Sequence, residues 1–207
     1  MEFDEVVIKR RSVRDYDASK EVTDEQLKEL FELVKLSPSS YNLQPWEFIV
    51  VRDKENKKLL KACANNQQFV EDASATVIVL GSTNPLVHAE EISADRVKKG
   101  TMDEEKKKKF EENVKKIAEN KPEAMLWTAK STSLSIMTLM LAAENMGLAT
   151  CPIGGFDDEC IKKEFNIPED YEIMMLITLG YKSEKQSERP KRYGYEDIVH
   201  LEKFGEK

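Results

Sequence analysis

A cluster of arginines near the start of the chain is the first feature whose chemistry suggests a ligand. Residues 10–14 read RRSVR, so Arg10, Arg11 and Arg14 lie close to the hydroxyl of Ser12. Guanidinium groups bind phosphate through paired, charge-assisted hydrogen bonds, and a hydroxyl adds a neutral donor. The cluster therefore indicates a phosphate site. A second interpretation stays open, because cations are also favoured at the C-terminus of a short helix over residues 3–9.

A polar loop braced by two prolines is the second feature. Residues 37–46 read SPSSYNLQPW and supply many hydroxyl and amide groups. The two prolines limit the backbone entropy that ordering the loop would cost. The loop is thus either a preorganised binding surface or a helix-capping turn with a buried tryptophan.

A pair of glycines and a second group of cations complete the set. Residues 151–156 read CPIGGF, and adjacent glycines let backbone N–H groups approach a planar ligand where a side chain would collide. The same residues could form a tight strand-to-helix turn. Residues 189–192 read RPKR, and these cations could close on the same phosphate or belong to an exposed tail.

These four motifs, in this order, resemble those of the FMN-dependent nitroreductase family. The resemblance runs from about residue 3 to residue 192. It implies an α+β fold of three layers, α/β/α, around a mixed and mostly antiparallel central sheet. It also implies a domain-swapped homodimer with two FMN sites at the subunit interface.

The resemblance assigns cofactor contacts residue by residue. The phosphate, the ribityl chain and the pyrimidine edge would contact Arg10, Arg11, Ser12 and Arg14. Two terminal basic residues that reach the phosphate correspond to Lys191 and Arg192. The loop that comes from the other subunit corresponds to Pro38, Ser39, Ser40 and Asn42.

The flavin ring would lie against two further segments. Polar contacts to the ring correspond to Asn66 and Gln67. The backbone N–H groups that face flavin N5 and O4 belong to the turn of Pro152, Ile153, Gly154 and Gly155. Several family members carry an acidic residue at the position of Gly154, so only backbone donation is carried over. Some relatives place a lysine near the ring where this chain has Phe69.

The implied activity is an oxidoreductase that uses NADH or NADPH by a ping-pong mechanism to reduce nitroaromatics, quinones or related small electron acceptors. Hydride chemistry would belong to the cofactor, so we assign no catalytic side chain. Tyr41 and Phe110 are candidate walls of the acceptor pocket, or ordinary packing residues. The absence of a G-x-G-x-x-G fingerprint leaves the choice of nicotinamide open.

Two alternative functions would also use a bound flavin. The chain could be a dehalogenase or a flavin-fragmenting enzyme of the same fold, or a flavin-binding redox partner without independent turnover. A substrate-clamping lid would favour the first alternative, and the excursion at residues 84–120 carries no motif that assigns one.

Composition excludes several classes of partner. The formal net charge is -7, from 32 basic and 39 acidic side chains, which argues against binding to nucleic acid or to an anionic membrane surface. The longest apolar stretch, residues 134–143, is far shorter than the roughly 20 residues that span a bilayer. The N-terminus lacks the pattern of a secretory signal, so a cytoplasmic protein is expected.

The cysteines and histidines predict no metal site. Cys63, Cys151 and Cys160 are an odd number without C-x-x-C spacing, and we expect free, mostly buried thiols. His88 and His200 have no acidic neighbours at ligand spacing.

Hydrophobic periodicity predicts one domain over residues 1–207, with more helices than strands. Thr23 and Gln26 form a capping box before a helix at 24–36, and Asp53 caps a helix that ends near residue 64. A charged helix at 103–120 is either a lid over a pocket or peripheral. The tail at 183–207 carries apolar side chains that a partner subunit would cover. The remaining predicted strands are at 47–52, 76–81 and 173–179, with a further strand that ends at the CPIGGF motif. The remaining predicted helices are a buried helix at 123–146, which Gly147 ends, and a helix from about residue 157.

Overall fold

The computed structural model describes residues 1–84, 86–184 and 188–206. The strands are β1 (Trp46–Val51), β2 (Ala75–Ser82), β3 (Ala149–Ile153) and β4 (Tyr171–Gly180). The helices are α1 (Phe3–Lys9), α2 (Asp24–Val34), α3 (Lys54–Cys63), α4 (Phe69–Asp72), α5 (Ala89–Lys98), α6 (Glu104–Glu119), α7 (Lys121–Asn145), α8 (Asp158–Glu164) and α9 (Tyr195–Ile198).

The four strands form one sheet in the order β1-β2-β4-β3, and every neighbouring pair is antiparallel. The segment that carries the first arginines runs along the outside of β3. Ser12 forms a parallel bridge with Thr150, and Tyr16 forms an antiparallel bridge with Lys182. The predicted mixed character of the sheet is therefore limited, among the described residues, to this one parallel bridge.

Alternating side chains of β2 pack against helices on the two faces of the sheet. Val77 and Val79 point towards a cluster that includes residues of α2 and α7. Ile78 and Leu80 point to the opposite cluster, which includes residues of α3, α4 and α8. A strand buried on both faces reads as a continuous apolar run, which is why its prediction was straightforward. The three-layer α/β/α arrangement and the α+β class are confirmed.

Local capping signals position the helices as predicted. Thr23 and Gln26 form the reciprocal capping box of α2, and the Asp53 carboxylate accepts from the N–H groups of Glu55 and Asn56 at the start of α3. Gly147 follows α7 with φ of 78°, a left-handed conformation that glycine adopts at low cost. The predicted elements all occur, with ends shifted by up to two residues.

Three helices are absent from the sequence prediction. Helices α4 and α9 each span a single turn, too short for periodicity to register. Helix α5 buries only Ala89, Ile92 and Ser93, so its apolar stripe is weak. None of the helices in the described part of the chain is long and apolar enough to cross a membrane.

The prediction of free thiols was wrong for two of the three cysteines. Cys63, at the end of α3, and Cys160, in α8, form a disulfide with a Cα–Cα distance of 5.5 Å. Cys151 is a free and buried thiol, as predicted. An odd count and the lack of a C-x-x-C motif do not exclude a pair that tertiary packing brings together across 97 residues.

Candidate functional site

The two basic motifs meet at the C-terminus of α1. The Arg189 guanidinium donates to the carbonyl oxygens of Ile8 and Arg10 at 2.6 and 2.9 Å. Burial lowers the pKa of Arg10, and the nearby charges of Arg189, Arg192 and Arg11 lower it further, against an opposing effect of Glu144. A guanidinium among other guanidiniums is unfavourable unless an anion joins them. The structure therefore brings both motifs into one cationic cluster, defined by Arg10, Arg11, Arg189 and Arg192.

Buried anchors display the polar side chains of the first motif. Val13 and Tyr16 are buried, whereas Ser12 and Arg14, on either side of Val13, are exposed. The Val13 N–H donates to the Thr150 carbonyl oxygen at 2.9 Å, and the Tyr16 hydroxyl lies 2.7 Å from the Thr178 hydroxyl. The segment is thus held along β3 with Arg14 on the outside. Burial raises the pKa of the Tyr16 hydroxyl, which stays protonated.

Arg14 lies beside Phe69 and beside Cys151, the residue that precedes the glycine turn. Its guanidinium carbon is 5.8 Å from the ring centroid of Phe69, within cation–π range. Burial raises the pKa of the Cys151 thiol, and a hydrogen bond and the charge of Arg14 oppose that shift. Arg14 therefore lies between the cationic cluster and the start of the turn at Pro152.

The glycine turn presents open backbone. Gly154 and Gly155 are exposed and follow β3 directly. A Cβ on Gly154 would meet no atom within 4 Å, and one on Gly155 would meet only Asn65 Nδ2, at an ordinary 3.6 Å. Neither N–H donates to any group of the described residues. Since no described residue requires glycine here, the turn leaves room and two donors for a ligand.

A second turn, residues 64–67, lies against the glycine turn. The Gln67 amide donates to the carbonyl oxygens of Gly155 and Ala64 at 3.0 and 2.9 Å. Asn65 and Asn66 both have φ of 55°, a conformation that asparagine tolerates better than most residues. The structure thus brings the predicted pair Asn66 and Gln67 to the predicted turn. Asn65 was missed, although the unusual Asn-Asn dipeptide could have signalled a left-handed turn.

The proline-braced loop lies at the other edge of the sheet. It enters β1, which is separated from β3 by two strands, so the edge strands are about 14 Å apart at the usual strand spacing. No hydrogen bond or ion pair of the described residues joins this loop to the cationic cluster. Within one protomer, the structure does not bring Pro38, Ser39, Ser40 and Asn42 to the arginines.

The loop is held in a strained conformation by one hydrogen bond within the loop and one to α7. Tyr41, Asn42 and Gln44 have φ of 55, 60 and 48°. The Ser39 hydroxyl accepts from the Gln44 N–H at 3.0 Å, and the Ser40 N–H donates to the Ser131 hydroxyl at 3.3 Å. Such backbone strain persists only where surrounding contacts over-determine it, and it concentrates at functional sites.

The two candidate pocket walls contact each other. Tyr41 stacks on Trp127 with centroids 5.2 Å apart, and Phe110 meets Tyr41 edge-on at 5.5 Å. Tyr41 is 39% exposed, whereas Phe110 is buried in a cluster with residues of α5 and α6. Only Tyr41 of the predicted pair offers surface to a substrate. Trp127 was missed, although an aromatic residue on a helix rich in serine and threonine is a usable signal.

A cavity of about 430 Å³ opens between the loop and α5. It is a further polar space near Tyr41. Its lining residues are Asn42, Gln44, Trp46, His88, Glu91, Ile92, Asp95 and Arg96. In the described part of the chain, no three His, Cys, Asp or Glu side chains lie close enough together to hold a metal ion.

Comparison with known proteins places this geometry in context. Residues 7–181 match the model of the Nitroreductase family. The chain is 35% identical over 194 residues to MhqN of Bacillus subtilis, named as an NAD(P)H nitroreductase, covering 93% of this chain and 94% of that one.

Solved structures agree with the fold. The structure of ydfN from Bacillus subtilis, described as a nitroreductase, superposes with a TM-score of 0.91 at 33% identity, covering 96% of this chain and 98% of the other. A nitroreductase-like protein from Exiguobacterium sibiricum, solved in complex with FMN, gives a TM-score of 0.86 at 32% identity and covers 96% of each chain.

Proposed function

Because the chain belongs to the Nitroreductase family, we propose that it is an FMN-dependent oxidoreductase that uses NADH or NADPH to reduce small electron acceptors. The family and the oxidoreductase class are those that the sequence motifs predicted. The cofactor proposal is supported by the FMN bound in the Exiguobacterium sibiricum relative and by the name of MhqN.

The cationic cluster fits the phosphate of FMN. Arg10 and Arg11 belong to the first basic motif, and Arg192 belongs to the second. The second motif is held at the end of α1 by the hydrogen bonds of Arg189. Hydrogen bonds to charged groups contribute about 1.5–3 kcal/mol each, so three or four supply much of the roughly 8 kcal/mol that micromolar binding needs. The mutual repulsion of these cations would be relieved by a dianion. Ser12 and Lys191 are assigned to the same end of the cofactor.

The two turns fit the edge of the flavin ring. The N–H groups of Gly154 and Gly155 find no acceptor among the described residues and would donate to ring heteroatoms. Asn66 and Gln67 lie next to this turn, and Arg14 stands between it and the cationic cluster. When bound, FMN supplies the hydride chemistry, and these residues hold and orient it. We assign no side chain of this chain to proton transfer.

We propose that a second copy of the chain completes each site. The loop of Pro38, Ser39, Ser40 and Asn42 lies at the opposite sheet edge from the arginines of its own protomer, so it would reach a cofactor held by the other subunit. The tail exposes Tyr193, Tyr195, Ile198, Leu201 and Phe204 at 55–93%. Apolar side chains exposed in such number are normally covered by a partner.

The acceptor pocket is proposed to lie beside Tyr41. Its ring is supported by Trp127 and Phe110, so the exposed part is a rigid aromatic surface suited to planar acceptors such as nitroaromatics or quinones. The nicotinamide and the acceptor would use this surface in turn, which predicts ping-pong kinetics.

The observation that carries this proposal is that two distant basic motifs converge at the end of α1. Arg14, from the first of them, reaches Cys151, which precedes a turn with two backbone donors that no described residue uses. Its test is the absorption spectrum of the purified protein, followed by anaerobic addition of NADH or NADPH. A yellow protein that either nicotinamide bleaches, and that a quinone recolours, is expected. If the purified protein does not bind added FMN, the proposed cofactor is wrong. If it binds FMN but neither NADH nor NADPH bleaches the flavin, the protein is a redox partner without independent turnover.

A further inference from the structure

The Cys63–Cys160 disulfide lies at the base of the two turns assigned to the flavin ring. Cys63 is the last residue of α3, and the turn of residues 64–67 follows it directly. Cys160 lies in the first turn of α8, whose cap, Asp157, comes two residues after Gly155. The bond therefore joins the residue that precedes one turn to the helix that follows the other turn.

Two weaker contacts join the same segments. The Asp157 N–H donates to the Cys63 carbonyl oxygen at 2.8 Å, and the Gln67 amide donates to the Gly155 carbonyl oxygen at 3.0 Å. The turn that these contacts hold contains two successive asparagines with positive φ. Strained backbone of this kind relaxes when a constraint is removed. The disulfide is the covalent member of this set of constraints.

We propose that the Cys63–Cys160 pair is a thiol-oxidation site that controls how tightly the chain binds its flavin. In the disulfide form the two turns are clamped together, and in the dithiol form they separate more easily. The control of a ligand rests on the proposed function, whereas the redox chemistry and the change in loop order do not. The reductant is a low-molecular-weight thiol of the glutathione class, and the oxidant is the corresponding disulfide.

The exchange can be written with all atoms in place. A small-molecule thiolate attacks the sulfur of Cys160, which is half-buried, while Cys63 is only 3% exposed. A mixed disulfide forms at Cys160, and Cys63 leaves as a thiolate and takes up a proton. A second small thiol attacks the mixed disulfide and releases the Cys160 thiol. The protein gains two electrons and two protons, and two small thiols become one disulfide.

Packing around the bond allows both forms to stay folded. Cys63 lies in the apolar cluster of α3, α8 and the sheet, with Leu60, Val70, Ile153 and Ile161 buried beside it. Free cysteine packs as a small apolar residue, so reduction leaves this cluster in place. The effect should therefore be concentrated in the two turns rather than in the core.

The experiment compares oxidised and reduced protein after dithiothreitol treatment and anaerobic removal of the reductant. Hydrogen–deuterium exchange of apo protein should be faster at residues 64–68 and 152–157 in the reduced form. The FMN dissociation constant, from flavin fluorescence, should rise about tenfold, because the turns must then be ordered on binding. The double variant C63A/C160A should resemble the reduced form and show no response to dithiothreitol.

Each outcome decides something different. Equal exchange rates and equal FMN affinities in the two forms overturn the inference, as does the failure of oxidised glutathione to join Cys63 and Cys160 in the native protein. Protein that binds no FMN in either form overturns the proposed function, and the exchange rates of the turns then decide the redox control alone. The double variant keeps the other members of the apolar cluster around Cys63, and a cooperative thermal transition verifies that the comparison is made on folded protein.

Discussion

Removing the charge of Arg10 should weaken FMN binding without weakening the apo protein. Arg10→Gln retains much of the side-chain length and a polar end but deletes the cation. Burial and three neighbouring guanidiniums lower the pKa of Arg10, and only Glu144 among the stated charges acts in the opposite sense. When the pKa of a base is lower in the folded state than in the unfolded state, its positive charge destabilises the folded state. Because arginine stays protonated at ordinary pH, this cost is present throughout the accessible range.

The size of the effect follows from the contacts that the charge would make. A hydrogen bond to a charged group contributes about 1.5–3 kcal/mol, which corresponds to roughly a 10- to 150-fold change in the dissociation constant. Arg10 remains partly exposed, so solvent screening places the expected loss in the lower part, about 10- to 30-fold. The free energy of unfolding of apo protein should stay equal or rise, since repulsion is relieved.

Two titrations measure the two quantities on the same preparations. Flavin fluorescence reports the FMN dissociation constant, and urea unfolding of apo protein reports the free energy of unfolding. The matched control is Arg52→Gln, because Arg52 follows the opposite edge strand and pairs with Asp24. The control should leave FMN affinity unchanged.

One combination of results would refute the reasoning. If Arg10→Gln leaves the FMN dissociation constant within twofold of the original and destabilises apo protein, then Arg10 serves the fold, with Glu144 as its partner. Equal losses of affinity in the Arg10 and Arg52 variants would instead reflect net charge rather than a site.

Three further predictions test other parts of the structure. Gly155→Ala should change the free energy of unfolding of apo protein by no more than about 0.5 kcal/mol, because its Cβ would meet only Asn65 at 3.6 Å. It should raise the FMN dissociation constant about tenfold by covering the open N–H groups. An unchanged dissociation constant would contradict the placement of the flavin ring at this turn. Gly81→Ala places a Cβ 2.5 Å from Thr128 Cγ2 and should cost about 1–3 kcal/mol in urea unfolding. Adding Thr128→Ser, which deletes that methyl and keeps the hydroxyl bonded to Ser82, should restore part of the loss, and no recovery would assign the cost elsewhere. Phe204→Asp, at a side chain that is 93% exposed, should shift the light-scattering mass towards the 23.8 kDa monomer, whereas an unchanged dimer removes the tail from the interface.

Local chemistry explains why most elements could be predicted. Helix caps act over a few residues, so they can be recognised from the sequence alone. Examples are the capping box of Thr23 and Gln26, the Asp53 cap and the left-handed Gly147. The apolar run of β2 is buried on both faces and needs no partner to be recognised. Short or weakly apolar helices such as α5 form because neighbours cover them, and sequence patterns do not contain that information.

The candidate site divides in the same way. The residue types of the site could be interpreted from the sequence. Arginines indicate anion binding, and glycines and asparagines indicate open or left-handed backbone. Their grouping was readable only through resemblance to a family. Neither route predicted Asn65 or Trp127, whose importance comes from contacts with residues far away in sequence.

The amino-acid sequence by itself determined the helices and strands with strong local signals, the acidic character of the chain and the motifs of its family. Tertiary structure alone decided that Arg189 fastens to the end of α1, that Gln67 joins the glycine turn, and that Cys63 meets Cys160. The physical reason is the range of the interactions. Capping and periodicity act within a helical turn, whereas these contacts depend on how the whole chain packs around one sheet.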